Sequence, residues 1–188
     1  MSINVFKAVG YHGTNKIMSN IFLKNNGIDC TWKHGDDVFL GGGFYLWRDS
    51  YYRAYSWSDR HADESQNHAV VEVEIECLND DMLNFTTTKS GNDNKELKFF
   101  KLYIKIIDAL QNDNLIGLHF GRFIDYMITE GVDIKLVSVH DLSAQLKAFE
   151  IQDPDIQDNK TYFALGDIQM CVKCDSIIRN KREVTNEN

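Results

Sequence analysis

The run "HAVVEVEIEC" (68–77) restricts the fold more than any other stretch of the chain. Val71, Val73 and Ile75 alternate with Glu72, Glu74 and Glu76, and a period of two residues puts the first set on one face of a β-strand and the second on the other. The pattern predicts a strand with one dry and one wet side, so the chain must build a sheet and cover it. "VFKAVGYHGT", "VDIKLVSVH" and "TYFALGDIQMCVKCDSIIRN" are further strand candidates. Segments of helical spacing lie among them. "TNKIMSNIFLKNNG" has Ile17, Ile21 and Phe22 on one side, Thr14 or Asn15 as a cap and Gly27 as a stop. "DSYYRAYSWSDRHAD" begins with the caps Asp49 and Ser50 and aligns Tyr51, Ala54, Tyr55 and Ser58. "ELKFFKLYIKIIDAL" carries a stripe of Phe99, Tyr103, Ile106 or Ile107, and Leu110, and "LHFGRFIDYMITEG" ends at Gly131. With most helices between an early and a late group of strands, the expectation is an α+β fold.

A chain of 188 residues, 43% of them apolar, is the size of one domain with a real core. The expected organisation is a single domain over residues 1–180 and a flexible polar tail over 181–188. Residues 85–160 include the polar loop 85–96 and a turn-rich stretch, 150–160, that holds the only proline. They read as a variable insertion or acceptor-recognition region. The 28 acidic and 20 basic residues give a formal charge of -8, which argues against non-specific attraction to phosphate backbones.

Cysteines stand at 30, 77, 171 and 174. No helix start follows "CVKC" as in a redox motif, and no second pair completes a four-cysteine site. The histidines lack metal-ligand spacing, so no metal is expected. The first residues do not read as a signal peptide, and no apolar run reaches the ~18 residues of a membrane span. A cytoplasmic location and no membrane partner are therefore expected.

Two short motifs carry the chemistry. "YHGTN" (11–15) puts a histidine and a glycine at the end of a strand, and "GGGFYLWRDSYYRA" (41–54) follows about thirty residues later. His12 alone would read as a structural ring. The glycines lack the spacing of a dinucleotide fingerprint and the lysine of a phosphate loop. Within "GFYL", alternation turns Phe44 and Leu46 one way and Tyr45 the other.

Taken with the strand "VVEVEI" and the late "DIQMCVKC", these segments resemble the ADP-ribosyltransferase superfamily of the His-Tyr-Glu class. This branch includes the poly-ADP-ribose polymerases, the diphtheria-type toxins and many small bacterial toxin domains. The match covers roughly residues 8–76 and 163–178. The resemblance implies a split, twisted antiparallel sheet with flanking helices that clasps NAD as a substrate. It implies that His12 bonds the adenosine-side ribose, that the backbone of Gly13 holds the nicotinamide carboxamide, and that Tyr45 stacks on the nicotinamide ring. Thr14 would join this binding set. Gly43, with Gly41, would let the backbone approach the cofactor. The family's third element is a glutamate, and the matching position here is Gln169, a departure.

Cleaving the nicotinamide–ribose bond generates a sugar cation, which a carboxylate stabilises and a glutamine does not. Three outcomes stay open: an acceptor that brings its own nucleophile, another carboxylate in the role, or binding without turnover. Asp167, two residues before Gln169 on the same strand face, is the substitute candidate, ahead of Glu130 and Glu64. Arg48, Arg53 and Arg60 surround the helix after the glycines; Arg53 or Arg48 would meet the NAD pyrophosphate, with Arg122 a further candidate. The function implied is mono-ADP-ribosyl transfer to a protein or nucleic acid acceptor by a bacterial or phage-defence toxin, held silent by an antitoxin or inhibitor protein. NAD glycohydrolysis and non-catalytic NAD or ADP-ribose binding are the rivals.

Overall fold

The structure, a computed structural model, describes residues 4–25, 39–61, 67–86, 95–112, 120–140 and 167–185. Within them one sheet is built from β1 (Val5–Asn15), β2 (Phe44–Arg48), β3 (His68–Leu78), β4 (Met82–Asn84), β5 (Leu136–His140), β6 (Ile168–Val172) and β7 (Ile178–Val184). Their order is β4-β5-β6-β2-β1-β3-β7, antiparallel except for β4 with β5. Four helices accompany it: α1 (Lys16–Lys24), α2 (Tyr51–His61), α3 (Lys95–Asn112) and α4 (Phe120–Thr129). The chain is an α+β fold.

The sheet is narrowest between β1 and β2. β1 pairs with β3 along its whole length, from Val5↔Leu78 to Asn15↔His68, but with β2 only through Gly10↔Arg48 and Tyr11↔Trp47. One buried cluster nevertheless joins Phe44, Leu46, Leu136, Met170 and Val172 from the β2 side to Val71, Val73 and Ile75 of β3. Strands on opposite sides of the join can share a core only if the sheet curls about it and the inner faces oppose one another.

The outer faces are covered by helices. Phe99 of α3 and Phe123 and Ile124 of α4 pack on Leu83, Val137 and Cys171. Ala54 of α2 packs on Trp47 and Val70.

Helix α1 begins where expected, with the Asn15 side chain accepting a hydrogen bond from the Met18 amide at 2.8 Å. Its inward face differs from the expected Ile17–Ile21 stripe, since those residues are 63% and 48% exposed. Ser19 is fully buried, and Phe22 stacks on Phe44 with 4.5 Å between ring centroids. The reason is polar: Glu183 of β7 accepts hydrogen bonds from Ser19, at 2.9 Å, and from Lys16.

The hydrogen bond from Lys16, with that from Ser19, holds the Glu183 carboxyl below its ordinary value of 4.5, against partial desolvation. A carboxyl depressed in this way contributes stability above about pH 4.5 and loses it as the pH falls through the lower folded-state value. Amide exchange along α1 should therefore accelerate in that acid window, and Glu183→Gln should flatten the dependence. An unchanged profile in the variant would place the acid sensitivity elsewhere.

Three other expectations change. Residues 181–184, read as the start of a flexible tail, form the second half of β7. They pair with the neighbouring strand, Arg182 lying opposite Glu72. Glu72, expected on a wet face, is buried: its carboxylate accepts from Arg182 Nε at 2.7 Å and from the Tyr11 hydroxyl at 3.2 Å. The stretch 85–160, read as a variable insertion or acceptor-recognition region, contributes β5 to the common sheet. Gly27, most of the loop 85–96 and all of 150–160 lie outside the described residues.

Candidate functional site

The first two motifs meet at the narrow join. Val9 accepts a hydrogen bond through its carbonyl from the Asp49 amide at 3.0 Å, so odd-numbered residues of β1 direct their peptide groups toward β2. Continued past the last pair at Tyr11, this alternation aims the N–H and C=O of Gly13 at the edge where β2 has stopped pairing. One residue earlier, His12 Nδ1 lies 2.9 Å from the Tyr45 carbonyl oxygen, and its ring centroid is 4.3 Å from that of Phe44. A carbonyl only accepts, so Nδ1 carries the proton and, in the neutral ring, Nε2 is an acceptor.

Gly13 has a second constraint. A Cβ there would sit 1.8 Å from the Ala54 carbonyl oxygen, because β1 and α2 touch backbone to backbone at that point. Thr14, the next residue, pairs with Ala69 of β3.

The glycine stretch is a clamped turn. The Tyr45 hydroxyl donates to the Gly41 carbonyl and accepts from the Leu40 amide, each at 2.9 Å. Lys173, whose side chain is 3% exposed, donates to the carbonyls of Leu40 and Gly42 at 2.6 Å and to Asp125 Oδ1 at 2.8 Å. The Gly42 amide donates to Asp125 Oδ2 at 2.7 Å. Gly41 and Gly43 have φ of 79° and 151°, and side chains there would run into the Asp125 carboxylate and Cys171 Sγ respectively.

Tyr45 is half-buried in the cluster under α3 and α4. Burial raises its phenol well above the ordinary range, so it stays neutral. Burial likewise pushes the Cys171 thiol up to about 11, which keeps it from acting as a thiolate. The Lys173–Asp125 pair escaped the sequence reading. Its only signal was a lone charge within an apolar run in each of "QMCVKC" and "FIDYMI".

β6 lies next to β2, with Gln169 opposite Trp47 and Cys171 opposite Tyr45. Alternation therefore puts Gln169 on the face of Tyr45 and Trp47, the side that α2 covers, and leaves His12 on the other. His12 reaches Tyr45 through the backbone carbonyl rather than the ring. Asp167 and Arg53, expected in separate roles, pair with each other through Arg53 Nε, and the guanidinium carbon lies 6.0 Å from the centre of the Trp47 ring.

Arg48 pairs with Asp49 at 3.1 Å. It lines a cleft of about 470 Å3 with Lys7, Glu74, Glu76 and Arg179 toward the start of β1, and that cleft holds none of His12, Tyr45 or Gln169. Arg122 and Glu130 are exposed on and just after α4. Glu64 and the Arg60 side chain lie outside the described residues.

Among the described residues no three His, Cys, Asp or Glu side chains group as a metal site, and no helix is long and apolar enough to cross a membrane. Cys77, Cys171 and Cys174 are free thiols.

The peptide of the buried Gly13 carries a donor and an acceptor toward the end of β2, and Nε2 of the neutral His12 ring is of acceptor type. A scan against protein-family models, a search of curated proteins and a search of solved structures each returned no match to the chain.

Proposed function

We propose that the chain is an NAD-dependent mono-ADP-ribosyltransferase. The observation that carries this reading is the His12 ring, anchored through Nδ1 to the Tyr45 carbonyl where β1 and β2 part, directly before Gly13, a buried residue whose peptide is turned toward the end of β2. These are the groups such a site needs first: an acceptor for a ribose hydroxyl and a backbone edge for the nicotinamide carboxamide. Arg53 is the cation suited to the diphosphate. In the reaction, the bond between ribose C1′ and the nicotinamide nitrogen breaks and its electron pair leaves with nicotinamide. A nucleophile on the acceptor then bonds to C1′ and gives its proton to solvent or a base. The acceptor is a protein or a nucleic acid, and a toxin restrained by an inhibitor protein is the setting proposed for it.

A second reading, NAD binding without turnover, is favoured by one specific feature. Gln169 carries no charge, and the nearest substitute carboxylate, Asp167, is neutralised by Arg53.

The test is to incubate the chain with adenylate-labelled NAD and a lysate, following free nicotinamide and label on protease- and nuclease-digested fractions. Transfer predicts label on one fraction and nicotinamide release, with His12→Ala reducing both about 100-fold or more. Asp167→Asn should tighten NAD binding by freeing Arg53. Lost turnover at unchanged affinity would instead make Asp167 the acting carboxylate. NAD bound with no nicotinamide released would sink transfer in favour of the binding reading, and nicotinamide without label would indicate hydrolysis.

A further inference from the structure

Helix α3 has two apolar stripes, and among the described residues only one of them is packed against the sheet. Phe99 is buried and Tyr103 and Ile106 partly so, against Phe120, Phe123 and the sheet. About a third of a turn round the helix, Leu97, Phe100 and Ile104, spaced by three and four, are 40%, 45% and 41% exposed. This second stripe continues off the helix. The Phe120 ring lies 6.1 Å from that of Phe100 and 6.2 Å from that of Phe39, which is 58% exposed and adjoins the turn held by Lys173. Along the far edge of the stripe Lys98, Lys101 and Lys105 repeat the same three-and-four spacing and are exposed.

The geometry points to a docking surface for a second protein, one that presents apolar side chains at helical spacing flanked by glutamate or aspartate. Charge complementarity selects that occupant: a basic ridge along an apolar stripe, on a chain of net charge -8, pairs with an acidic amphipathic segment. A phosphate backbone would satisfy the lysines and strand Leu97, Ile104 and Phe39 in water. A symmetric pair of this chain would bring one lysine ridge toward the other. The surface stands independently of any NAD chemistry, and its partner would touch the residue next to the glycine turn.

The test uses the full chain and three fluorescent probes. These are a helix-forming peptide with a Leu/Phe/Ile face flanked by glutamates, the same peptide with lysines for glutamates, and a short single-stranded RNA. Anisotropy should show the acidic peptide binding, and Lys101→Glu with Lys105→Glu should weaken it about tenfold. Phe100→Ser with Ile104→Ser should abolish binding. All four sites are exposed, so melting curves should match the parent. No acidic-peptide binding at about 1 mM, near the weakest useful affinity, or equal binding by the charge-reversed variant, overturns the proposal. RNA binding through the same lysines would replace it with a nucleic acid surface. A concentration-dependent dimer lost in the serine variant would replace it with self-association.

Discussion

Gly13→Ala should lower the melting temperature by about 6–12 °C. The added methyl would meet the Ala54 carbonyl oxygen at 1.8 Å, and neither partner is a side chain that can rotate away. Relief requires α2 to lift from β1, which disturbs the packing of Ala54 on Trp47 and Val70. Overpacking of this kind costs roughly 3 kcal/mol, at the upper end of the usual range because backbone must move. In a chain of this length each kcal/mol shifts the midpoint by about 2–4 °C. Calorimetry on the purified variant decides the matter. A midpoint within about 2 °C of the parent would mean that α2 does not sit on β1 as described. A stable variant that lost nicotinamide release would leave Gly13 with a role at the ligand alone.

A loss of similar size is expected from Lys173→Met. The methionine fills much of the same volume but leaves the Leu40 and Gly42 carbonyls without their donor and Asp125 without its cation. Stranded acceptors cost about 1–3 kcal/mol each, and removing one partner of a buried pair about 3–5 kcal/mol. Asp125 is 42% exposed, so water recovers part of that cost and about 3 kcal/mol remains. Asp125→Asn should do less harm, because the amide oxygen still accepts from the Gly42 amide. Urea melts of both variants provide the comparison, and equal stability of Lys173→Met and parent would refute the clamp.

These two positions also show where the sequence was legible. Period-two alternation was enough for β3, and Asn15 and Gly131 bounded α1 and α4 through local cap chemistry that needs no distant partner. Reading failed where the deciding partner lay far along the chain. Ile17 and Ile21 make a plausible buried stripe until Glu183 holds Ser19 inward, and Glu72 looks solvated until Arg182 lies down beside it. At the candidate site the spacing of "YHGT" and "GGGFYL" drew attention to His12 and Tyr45, which do meet. Nothing local revealed that the Tyr45 hydroxyl is consumed by its own turn or that Asp167 is held by Arg53. A lysine near a strand end reads as solvated until the fold delivers three acceptors to it.

The fastening of α1 by β7 bears on how the protein is made. Lys16 and Glu183 are 167 positions apart, and Lys181 donates to the carbonyls of Phe22 and Asn25 near the other end of the same helix. β6, which pairs with β2 beside Tyr45, is made long after β2 itself. Vectorial synthesis therefore leaves one edge of β2 exposed long before its partner β6 exists. Until β6 and β7 have been made, β2 has a bare edge and α1 has no fastening, so the join between β1 and β2 settles only after both of those strands exist.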